Sequence, residues 1–571
     1  MALVAAVAWS LLCASPGLLG GWVYDDLLMS RSPAYDALDD VPRAFLRTSY
    51  DYQYARAATP GPVTSETYRP VTMATLIATH AVAPAPLPHH LLGWALHVLV
   101  TGLLFAWLRR VLRQREPSDR QGERVELAVA GWLALLFLLH PIGVEAYVWI
   151  NGRSDVTAAV FLMASALLVE VVVSAPAAPA SPLARVGWLV SASVLAFGAL
   201  ASKETAVIPL AALWLAALLR TPLPLGSRRS LVWPLAAGLL GVTLYFACWH
   251  AVRMGALGSL GAGSPALTDP SLVRFAPKLL AIATGALVSL RALPMQSYAW
   301  LALRPLTPLE WASALLLVIG LLALVRKRDW PGLALVVGAL LALAPTLPLS
   351  HALWLGLDRY LYMPLLLVLA AAAPHGAALV TRSQARGQRL PRVLGAVVLV
   401  IASAGTAMAS SFYADHATWQ AAPRDVDPLE PTRYVLRAKD QLELHNTAAA
   451  HAELASMPPF PWPLPVLLGA LDVALATGDE ARYDAILAQA AAAAPEHVGV
   501  RFHQFHVALR RGQLAAALER VPALAATEWC ADVALHLGVA AERYPVEARP
   551  ALLAARERMA CSPRPVGRTP R

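Results

Sequence analysis

Charged residues are scarce in this sequence. Lys, Arg, Asp and Glu make up 15% of the 571 residues, whereas a soluble domain averages roughly 25%. Hydrophobic residues reach 57% and the mean hydropathy is positive. Apolar runs recur up to about residue 412, and roughly 20 such residues cross the hydrocarbon core of a bilayer. The composition excludes an ordinary soluble enzyme and predicts an integral membrane protein.

Cysteines are also few, and the four present show no metal-ligand spacing. Cys13 and Cys248 lie in apolar runs, where packed thiols are expected. A disulfide between Cys530 and Cys561 is a hypothesis that depends on the C-terminal part lying in an oxidising compartment. The sequence also lacks a P-loop, a zinc motif and a nucleophile elbow. These absences exclude several enzyme classes and leave the function open.

The net charge of +9 comes largely from arginine clusters between apolar runs. This placement indicates membrane topology and not nucleic-acid binding, because positive charge collects in cytoplasmic loops. The four clusters lie within residues 109–124, 220–229, 326–328 and 382–392. All four are predicted to be cytoplasmic.

Eleven crossings satisfy this rule, with the N-terminus cytoplasmic and everything after residue 412 outside. They are residues 2–22, 89–109, 125–140, 154–174, 185–202, 204–219, 231–252, 309–326, 331–349, 360–380 and 393–412. Residues 275–294 would break the alternation if they crossed, so we expect an interfacial or re-entrant helix there. The first outer loop, 22–88, contains amphipathic patterns that predict helices on the membrane surface. A bacterial inner membrane is the expected location.

The C-terminal segment, 413–571, is rich in Ala and Leu with helical spacing. The stretch "GDEARYDAILAQA" from Gly478 is echoed by "GQLAAALERVPAL" from Gly512, 34 residues later, and more weakly from Leu444. That period is typical of tetratricopeptide repeats; a generic helical bundle is the alternative. The sequence thus predicts an all-α protein with a polytopic membrane domain, 1–412, and a periplasmic domain of two or three degenerate repeats, 413–571.

Five polar clusters fall on the predicted outer side. Charged groups at a membrane boundary are costly to desolvate, so their collection on one side indicates function. Carboxylates can take a proton from a hydroxyl, and cations can hold a phosphate whose lipid tail stays in the bilayer. The clusters are Asp25–Asp26, Tyr68–Arg69, His140–Asp155, Lys203–Glu204 and Asp358–Tyr362.

These motifs occur in the order "VYDD", "YRPV", "HHLLGWALHVLVTGLLF", "LLHPIGVEAYVWINGRSD", "ASKETAVIPL" and "DRYLYMP", followed by the repeat-like segment. In the order of these motifs the chain resembles the C-type superfamily of membrane glycosyltransferases. The likeness is strongest to the transmembrane and tetratricopeptide repeat O-mannosyltransferases and their bacterial relatives. The resemblance spans most of residues 20–412. It implies inverting transfer of a sugar from a polyprenyl-phosphate donor on the extracytoplasmic face. Independently of the resemblance, no cofactor is expected.

The resemblance also implies roles for individual residues. Asp26 or Asp25 would be the base, with Asp26 the first choice, and Arg69, Lys203 and Arg359 would bind the donor phosphate. The residues expected to position the acceptor or support the base are His140, Glu145, Arg153, Asp155, Glu204 and Tyr362. Two adjacent buried Asp residues would not both ionise freely, so one is expected to have a raised pKa or a supporting role.

Each of these side chains also has a purely structural alternative. Glu145 and Arg153 would form an ion pair under their loop, and Lys203 and Glu204 would pair with each other to close a turn. Arg359 would extend to the lipid headgroups. A divalent cation is possible and not favoured, because the Asp pair has no clear third acidic ligand.

Two other classes of function compete with sugar transfer. A transporter or flippase would place ionisable residues near the bilayer midplane and show internal symmetry, and the sequence shows neither. A non-enzymatic assembly scaffold would use its helical repeats to recruit a periplasmic protein. The partners expected for the enzyme are the lipid bilayer, a polyprenyl-phosphate sugar, a protein or glycan acceptor, and a periplasmic protein bound by the repeats.

Overall fold

The computed structural model describes most of the chain. The described residues are 2–23, 26–47, 49, 67–113, 120–174, 181–220, 229–256, 270–290, 298–351, 358–386, 390–419, 430–458, 462–525 and 530–559. Within these ranges every regular element is a helix and no strand occurs. The all-α class is therefore confirmed for the described chain.

Sixteen α-helices precede residue 412 in the described ranges. They are α1 Ala2–Leu18, α2 Asp26–Arg31, α3 Pro70–Val82, α4 Pro86–Arg113, α5 Arg120–Leu138, α6 Gly143–Tyr147, α7 Arg153–Ser174, α8 Pro182–Ser202, α9 Val207–Arg220, α10 Arg229–Ala256, α11 Pro270–Ser289, α12 Tyr298–Leu303, α13 Pro308–Arg326, α14 Trp330–Leu341, α15 Tyr362–Ala385 and α16 Leu390–Ser411. Short 3₁₀ turns connect several of them.

Six segments of the described chain are long and apolar enough to cross a membrane, and they coincide with six of the eleven expected crossings. They are Pro86–Arg113, Ile150–Val171, Pro308–Arg326, Trp330–Leu347, Asp358–Ala385 and Val393–Ser411. The expected crossings 2–22, 185–202 and 231–252 correspond to shorter apolar helices. The total of eleven crossings stays a prediction, as does the interfacial position of α11.

The helices carry the arginine clusters and the outer motifs to opposite ends of the bundle. In α4, His89 and Arg109 are twenty residues apart, which separates them by about 30 Å along the helix. Arg109 and Arg113 contact Glu126 at the start of α5, whereas His89 contacts Arg153 at the start of α7. That spacing matches the thickness of a bilayer core, roughly 30 Å.

The first and the last helix of this part lie side by side. The Gly17 backbone N–H donates to Ser410 Oγ at 2.9 Å, and that hydroxyl donates to the Ala14 carbonyl at 2.6 Å. Trp9 Nε1 donates to Ser403 Oγ at 3.0 Å. A Cβ on Gly17 would lie 2.7 Å from the Ser410 carbonyl oxygen, so this close approach of α1 and α16 requires glycine.

A second close approach positions the polar loop between α5 and α7. Gly93 of α4 faces the carbonyl oxygen of Tyr147, and a Cβ at this position would lie 2.3 Å from that oxygen. Because the neighbouring atom is backbone, it has little freedom to move away. Gly93 therefore lets α4 contact α6 directly. This contact fixes the position of the polar loop along the axis of α4.

The C-terminal part consists of helices that pack in consecutive pairs. They are α17 Thr432–Glu443, α18 Thr447–Ala455, α19 Leu464–Thr477, α20 Glu480–Ala493, α21 Val498–Arg510, α22 Leu514–Ala525, α23 Cys530–Arg543 and α24 Arg549–Arg558. α18 ends at Ala455 and α19 begins at Leu464. The domain boundary at residue 413 stays a prediction.

The 34-residue echo corresponds to turns inside these helix pairs. Gly478 and Gly512 follow α19 and α21 and adopt left-handed backbone conformations, with φ of 73° and 75°. His445, near the third and weaker echo, also has a positive φ of 57°. Glycine ends helices in this conformation without the steric penalty of a Cβ. The repeated unit is therefore a helical hairpin.

The cysteines divide into two classes. Cys13 and Cys248 are free thiols; Cys13 is buried, as expected for a packed thiol, whereas Cys248 is exposed and does not fit that expectation. Cys530, at the start of α23, is disulfide-bonded. Its expected partner, Cys561, lies outside the described residues.

Candidate functional site

Asp26 is buried at the start of α2, and both of its carboxylate oxygens are engaged. The backbone N–H of Ile150 donates to Oδ2 at 3.3 Å and that of Asn151 donates to Oδ1 at 3.0 Å. Its side chain is only 1% exposed. Asp26 therefore caps the turn before α7 and ties the first outer loop to the segment 140–155. Asp25 lies outside the described residues.

The segment 140–155 folds back on itself because of its own residues. His140 Nδ1 accepts a hydrogen bond from the Ile142 N–H at 3.3 Å, and its Nε2 lies 3.2 Å from the Leu287 carbonyl oxygen of α11. A Cβ on Gly152 would lie 2.4 Å from the Glu145 carbonyl oxygen, so the return of the chain requires glycine. His140 therefore anchors the segment to α11.

Arg69 and Glu204 form a bidentate ion pair. Arg69 precedes α3, and its Nε and a terminal nitrogen donate to the two Glu204 carboxylate oxygens at 2.9 and 2.7 Å. Their side chains are 22% and 35% exposed. Burial alone would raise the pKa of Glu204, but the facing Arg69 outweighs it and lowers this pKa to about 2. This pair is the most accessible part of the site.

Lys203 and Asp155 form a buried ion pair below the first one. Lys203 Nζ lies 2.5 and 2.6 Å from the two Asp155 oxygens, and the side chains are 2% and 0% exposed. Burial lowers the pKa of Lys203, and Asp155 opposes this effect. The ammonium also lies over the Tyr360 ring, 4.4 Å from its centre. The alternative in which Lys203 pairs with Glu204 is therefore wrong.

Arg359 lies between two aromatic rings beside Glu145. Its guanidinium carbon is 4.5 Å from the Trp149 ring centre and 4.9 Å from that of Tyr360. Its Nε lies 3.8 Å from Glu145 Oε1, and Arg359 is only 5% exposed. Stacking of guanidinium on aromatic faces favours a buried arginine. The alternative in which Arg359 extends to the headgroups does not fit this burial.

Arg153 and Tyr362 make structural contacts in this arrangement. Arg153 donates to the His89 carbonyl at 2.9 Å and to the Thr75 carbonyl at 3.3 Å, which joins α3, α4 and α7. The alternative pairing of Arg153 with Glu145 is therefore wrong. The Tyr362 hydroxyl is hydrogen-bonded to His97 Nδ1 at 2.7 Å. The proposed support roles of Arg153 and Tyr362 stay predictions.

Glu145 differs from the other carboxylates of the site. It is 2% exposed, and neither of its carboxylate oxygens has a side-chain hydrogen-bond partner among the described residues, although the Arg359 backbone N–H acts on it as a donor. Burial raises the pKa of Glu145 to about 7, although Arg359 opposes the shift. The buried Tyr413 hydroxyl, just after α16, is also without a hydrogen-bond partner among the described residues. Sequence reasoning missed Tyr413, since a boundary tyrosine predicts only an interface anchor.

The structure thus brings three cations and three carboxylates to one end of the bundle. We call them the charged cluster: Arg69, Lys203, Arg359, Glu145, Asp155 and Glu204. Each cation faces one carboxylate, so the cluster is balanced in charge. Within the described ranges no group of three or more His, Cys, Asp or Glu side chains is arranged to hold a metal ion. The expectation of metal-independent chemistry stays a prediction.

Comparison with known proteins gives one partial likeness. A stretch of 169 residues is 27% identical to Protein O-mannosyl-transferase TMTC3 of Mus musculus. The stretch covers 29% of this chain and only 16% of that protein. No family model and no solved structure matches the chain. The chain is thus similar, over less than a third of its length, to part of an O-mannosyltransferase.

Proposed function

We propose that this protein is a membrane glycosyltransferase that moves a sugar from a polyprenyl-phosphate carrier to an acceptor hydroxyl, with inversion at the anomeric carbon. The observation that carries the proposal is the charged cluster at one end of a bundle of apolar helices. The partial likeness to an O-mannosyltransferase supports the same class of reaction. The lipid tail of such a donor stays in the bilayer while its phosphate reaches the cluster.

Arg69 is the residue best placed to receive the phosphate. It is the most exposed cation of the cluster, and its planar fork already binds two oxygens of Glu204. A phosphate presents the same geometry to arginine, so it would replace Glu204 as the bidentate partner. Lys203 and Arg359 lie behind Arg69 and contribute positive charge where the leaving phosphate becomes more negative.

Transfer also requires one base, which takes the proton of the acceptor hydroxyl as its oxygen attacks the sugar. Asp26 and Asp25 are the bases that the family resemblance implies. The cluster is proposed to face the extracytoplasmic side of a bacterial inner membrane. The disulfide of Cys530 supports this orientation for the C-terminal part, because disulfides persist in oxidising compartments.

The C-terminal hairpins are proposed to be degenerate tetratricopeptide repeats. Their 34-residue spacing and their left-handed glycine turns support this assignment. Stacked helical hairpins form extended surfaces that bind peptides or proteins. The acceptor would be a protein or a glycan brought to the charged cluster, and the repeats would also hold a periplasmic partner.

The proposal is tested with the full-length protein in lipid nanodiscs and polyprenyl-phosphate mannose labelled in the sugar. We expect label to move from the lipid fraction to hydroxyl-bearing acceptors, in a panel of Ser- and Thr-containing peptides and oligosaccharides. Arg69→Ala should raise the KM for the donor at least about tenfold, the loss of one charge-assisted phosphate contact. Arg43→Ala is the matched control, because Arg43 lies in the same loop, is 58% exposed and forms an ion pair with Asp40.

Two results would overturn the proposal. One is wild-type protein that cleaves no polyprenyl-phosphate sugar when the carrier and the sugar are varied. The other, in sealed vesicles, is movement of the intact donor across the bilayer without cleavage, which would indicate a flippase.

A further inference from the structure

The hydrogen bonds of Asp26 suit a carboxylate that positions the loop and not one that exchanges protons. Two backbone N–H groups donate to its two oxygens, and the side chain is closed to solvent. Backbone donors stabilise the ionised form of a carboxylate and reduce its basicity. Protonation of Asp26 would also weaken the hydrogen bonds from Ile150 and Asn151, which end the turn that follows Glu145.

Glu145 has the opposite environment. Buried polar groups almost always have hydrogen-bond partners, so each exception requires a reason. No side chain of the described residues donates a hydrogen bond to either Glu145 oxygen; the Arg359 backbone N–H favours the ionised form, and Arg359 Nε lies 3.8 Å from Oε1. An ionised carboxylate in this position is poorly solvated and therefore a better proton acceptor than one held by backbone amides.

Tyr413 provides a second unsatisfied group, close enough to Glu145 for the two to interact electrostatically. Its hydroxyl is buried and lacks a hydrogen-bond partner among the described residues. The carboxylates that act on this hydroxyl electrostatically are Glu145, Asp358 and Asp26. A carboxylate that needs a donor and a phenol that needs an acceptor complement an alcohol, which has one O–H and two lone pairs.

We propose that Glu145 accepts the proton of the acceptor hydroxyl, that Tyr413 donates a hydrogen bond to the oxygen of that hydroxyl, and that Asp26 is a positioning residue. This inference rests on the proposed glycosyl transfer. The acceptor O–H bond breaks and its proton moves to a Glu145 oxygen. The acceptor oxygen bonds to the anomeric carbon, and the bond from that carbon to the phosphate oxygen breaks. Its electron pair stays on the phosphate, beside Arg359.

The groups that face Glu145 set the pH range of this step. Arg359, through its side chain and its backbone N–H, and Lys203 favour its ionised form, whereas Asp155 disfavours it. Burial is the largest effect and raises the pKa of Glu145 to about 7. Because the base must be ionised, transfer should decline as the pH falls through about 7.

The first experiment compares Glu145→Gln with Asp26→Asn in full-length protein in nanodiscs, with polyprenyl-phosphate mannose as the donor. Glu145→Gln should lower kcat at least about a hundredfold, the usual contribution of a general base, and leave the donor KM within about twofold. Glu145→Asp should restore part of kcat with a shifted pH midpoint. Asp26→Asn, which keeps one acceptor oxygen, should lose less than tenfold and keep the wild-type midpoint. Glu123→Gln, at the exposed start of α5, is the matched control.

The second experiment detects the proton without any turnover. Dicyclohexylcarbodiimide modifies protonated carboxyl groups in apolar surroundings, and mass spectrometry locates the adduct. We expect labelling of Glu145 in wild-type protein below pH 7, less labelling at higher pH, and none at Asp26.

The two experiments separate the two proposals. Wild-type protein that cleaves no polyprenyl-phosphate sugar would overturn the proposed function, and labelling of Glu145 would still measure its proton. Wild-type transfer that survives in Glu145→Gln would overturn the inference alone. If Asp26→Asn or Asp25→Asn loses transfer while Glu145→Gln stays active, the base is one of the two Asp residues and not Glu145. An unlabelled Glu145 at pH 5 would also overturn the inference.

Discussion

The buried pair of Lys203 and Asp155 makes a quantitative prediction for stability. Replacing Lys203 by Met keeps the length of the side chain and leaves Asp155, which is 0% exposed, without its ammonium. Removal of one partner from a buried pair costs about 3–5 kcal/mol of the free energy of unfolding. Arg69 and Arg359 lie close enough to Lys203 to act on it electrostatically, and they partly compensate the remaining carboxylate. We therefore expect a loss near the lower end of this range.

The double variant Lys203→Met/Asp155→Leu distinguishes a buried charge from lost packing. It removes both charges, so its free energy of unfolding should lie within ~1 kcal/mol of the wild type. The coupling energy between the two sites should then exceed about 2 kcal/mol. Lys439→Met is the exposed control, since Lys439 and Asp472 are 37% and 47% exposed and such a pair contributes about 0–1 kcal/mol.

The measurement is equilibrium unfolding of the full-length protein in mixed detergent micelles, followed by tryptophan fluorescence during titration with sodium dodecyl sulfate. The reasoning is refuted if Lys203→Met loses less than about 1 kcal/mol, the contribution of an exposed pair. It is also refuted by a double variant as unstable as the single one.

Three further predictions concern packing, protonation and turns. Gly93→Ala should lower the free energy of unfolding in the same titration by about 1–3 kcal/mol, because its Cβ would meet the Tyr147 carbonyl oxygen at 2.3 Å; Gly102→Ala, in open space on the same helix, should not. Burial lowers the pKa of His503 from 6.5 to about 4, so the stability of the C-terminal hairpins should be full above pH 6.5 and decline towards pH 4, with faster hydrogen exchange in α21. Gly478→Ala should destabilise α19 and α20 by about 1 kcal/mol, since Gly478 has a φ of 73°; unchanged exchange would contradict this.

Much of the fold was predictable from the sequence for a simple physical reason. Apolar runs of membrane length have few alternatives to helix, because a bilayer leaves backbone groups no other partners. The runs 89–109 and 309–326 were therefore found with small errors at their ends. The run 204–219 is equally apolar but forms a helix of only 14 residues, Val207–Arg220, so its crossing does not follow from composition alone. The hairpin period was visible because Gly478 and Gly512 mark equivalent turns.

The sequence also predicted most of the residues of the charged cluster. It did not predict which of them form ion pairs with each other. The motifs place charges next to helix ends, which topology brings together. Pairing depends on which loops lie next to each other in the fold. Arg69 pairs with Glu204, 135 residues away in the sequence, and Lys203 pairs with Asp155, 48 residues away. Neighbouring residues such as Lys203 and Glu204 point to different sides of their turn. Tyr413 carried no signal because its role depends on burial, which a single sequence does not show.

The contact between α1 and α16 has a consequence for biosynthesis. Gly17 and Ser410 are 393 residues apart, so the first helix is synthesised long before its neighbour has been translated. Until the ribosome has passed residue 411, the groove that α1 finally fills is open to lipid. The bundle is therefore completed late, when α16 is added. Until then α1 lacks its contacts with α16. Quality-control proteases and insertion chaperones would meet this intermediate, and truncation before α16 should convert it into a degradation substrate.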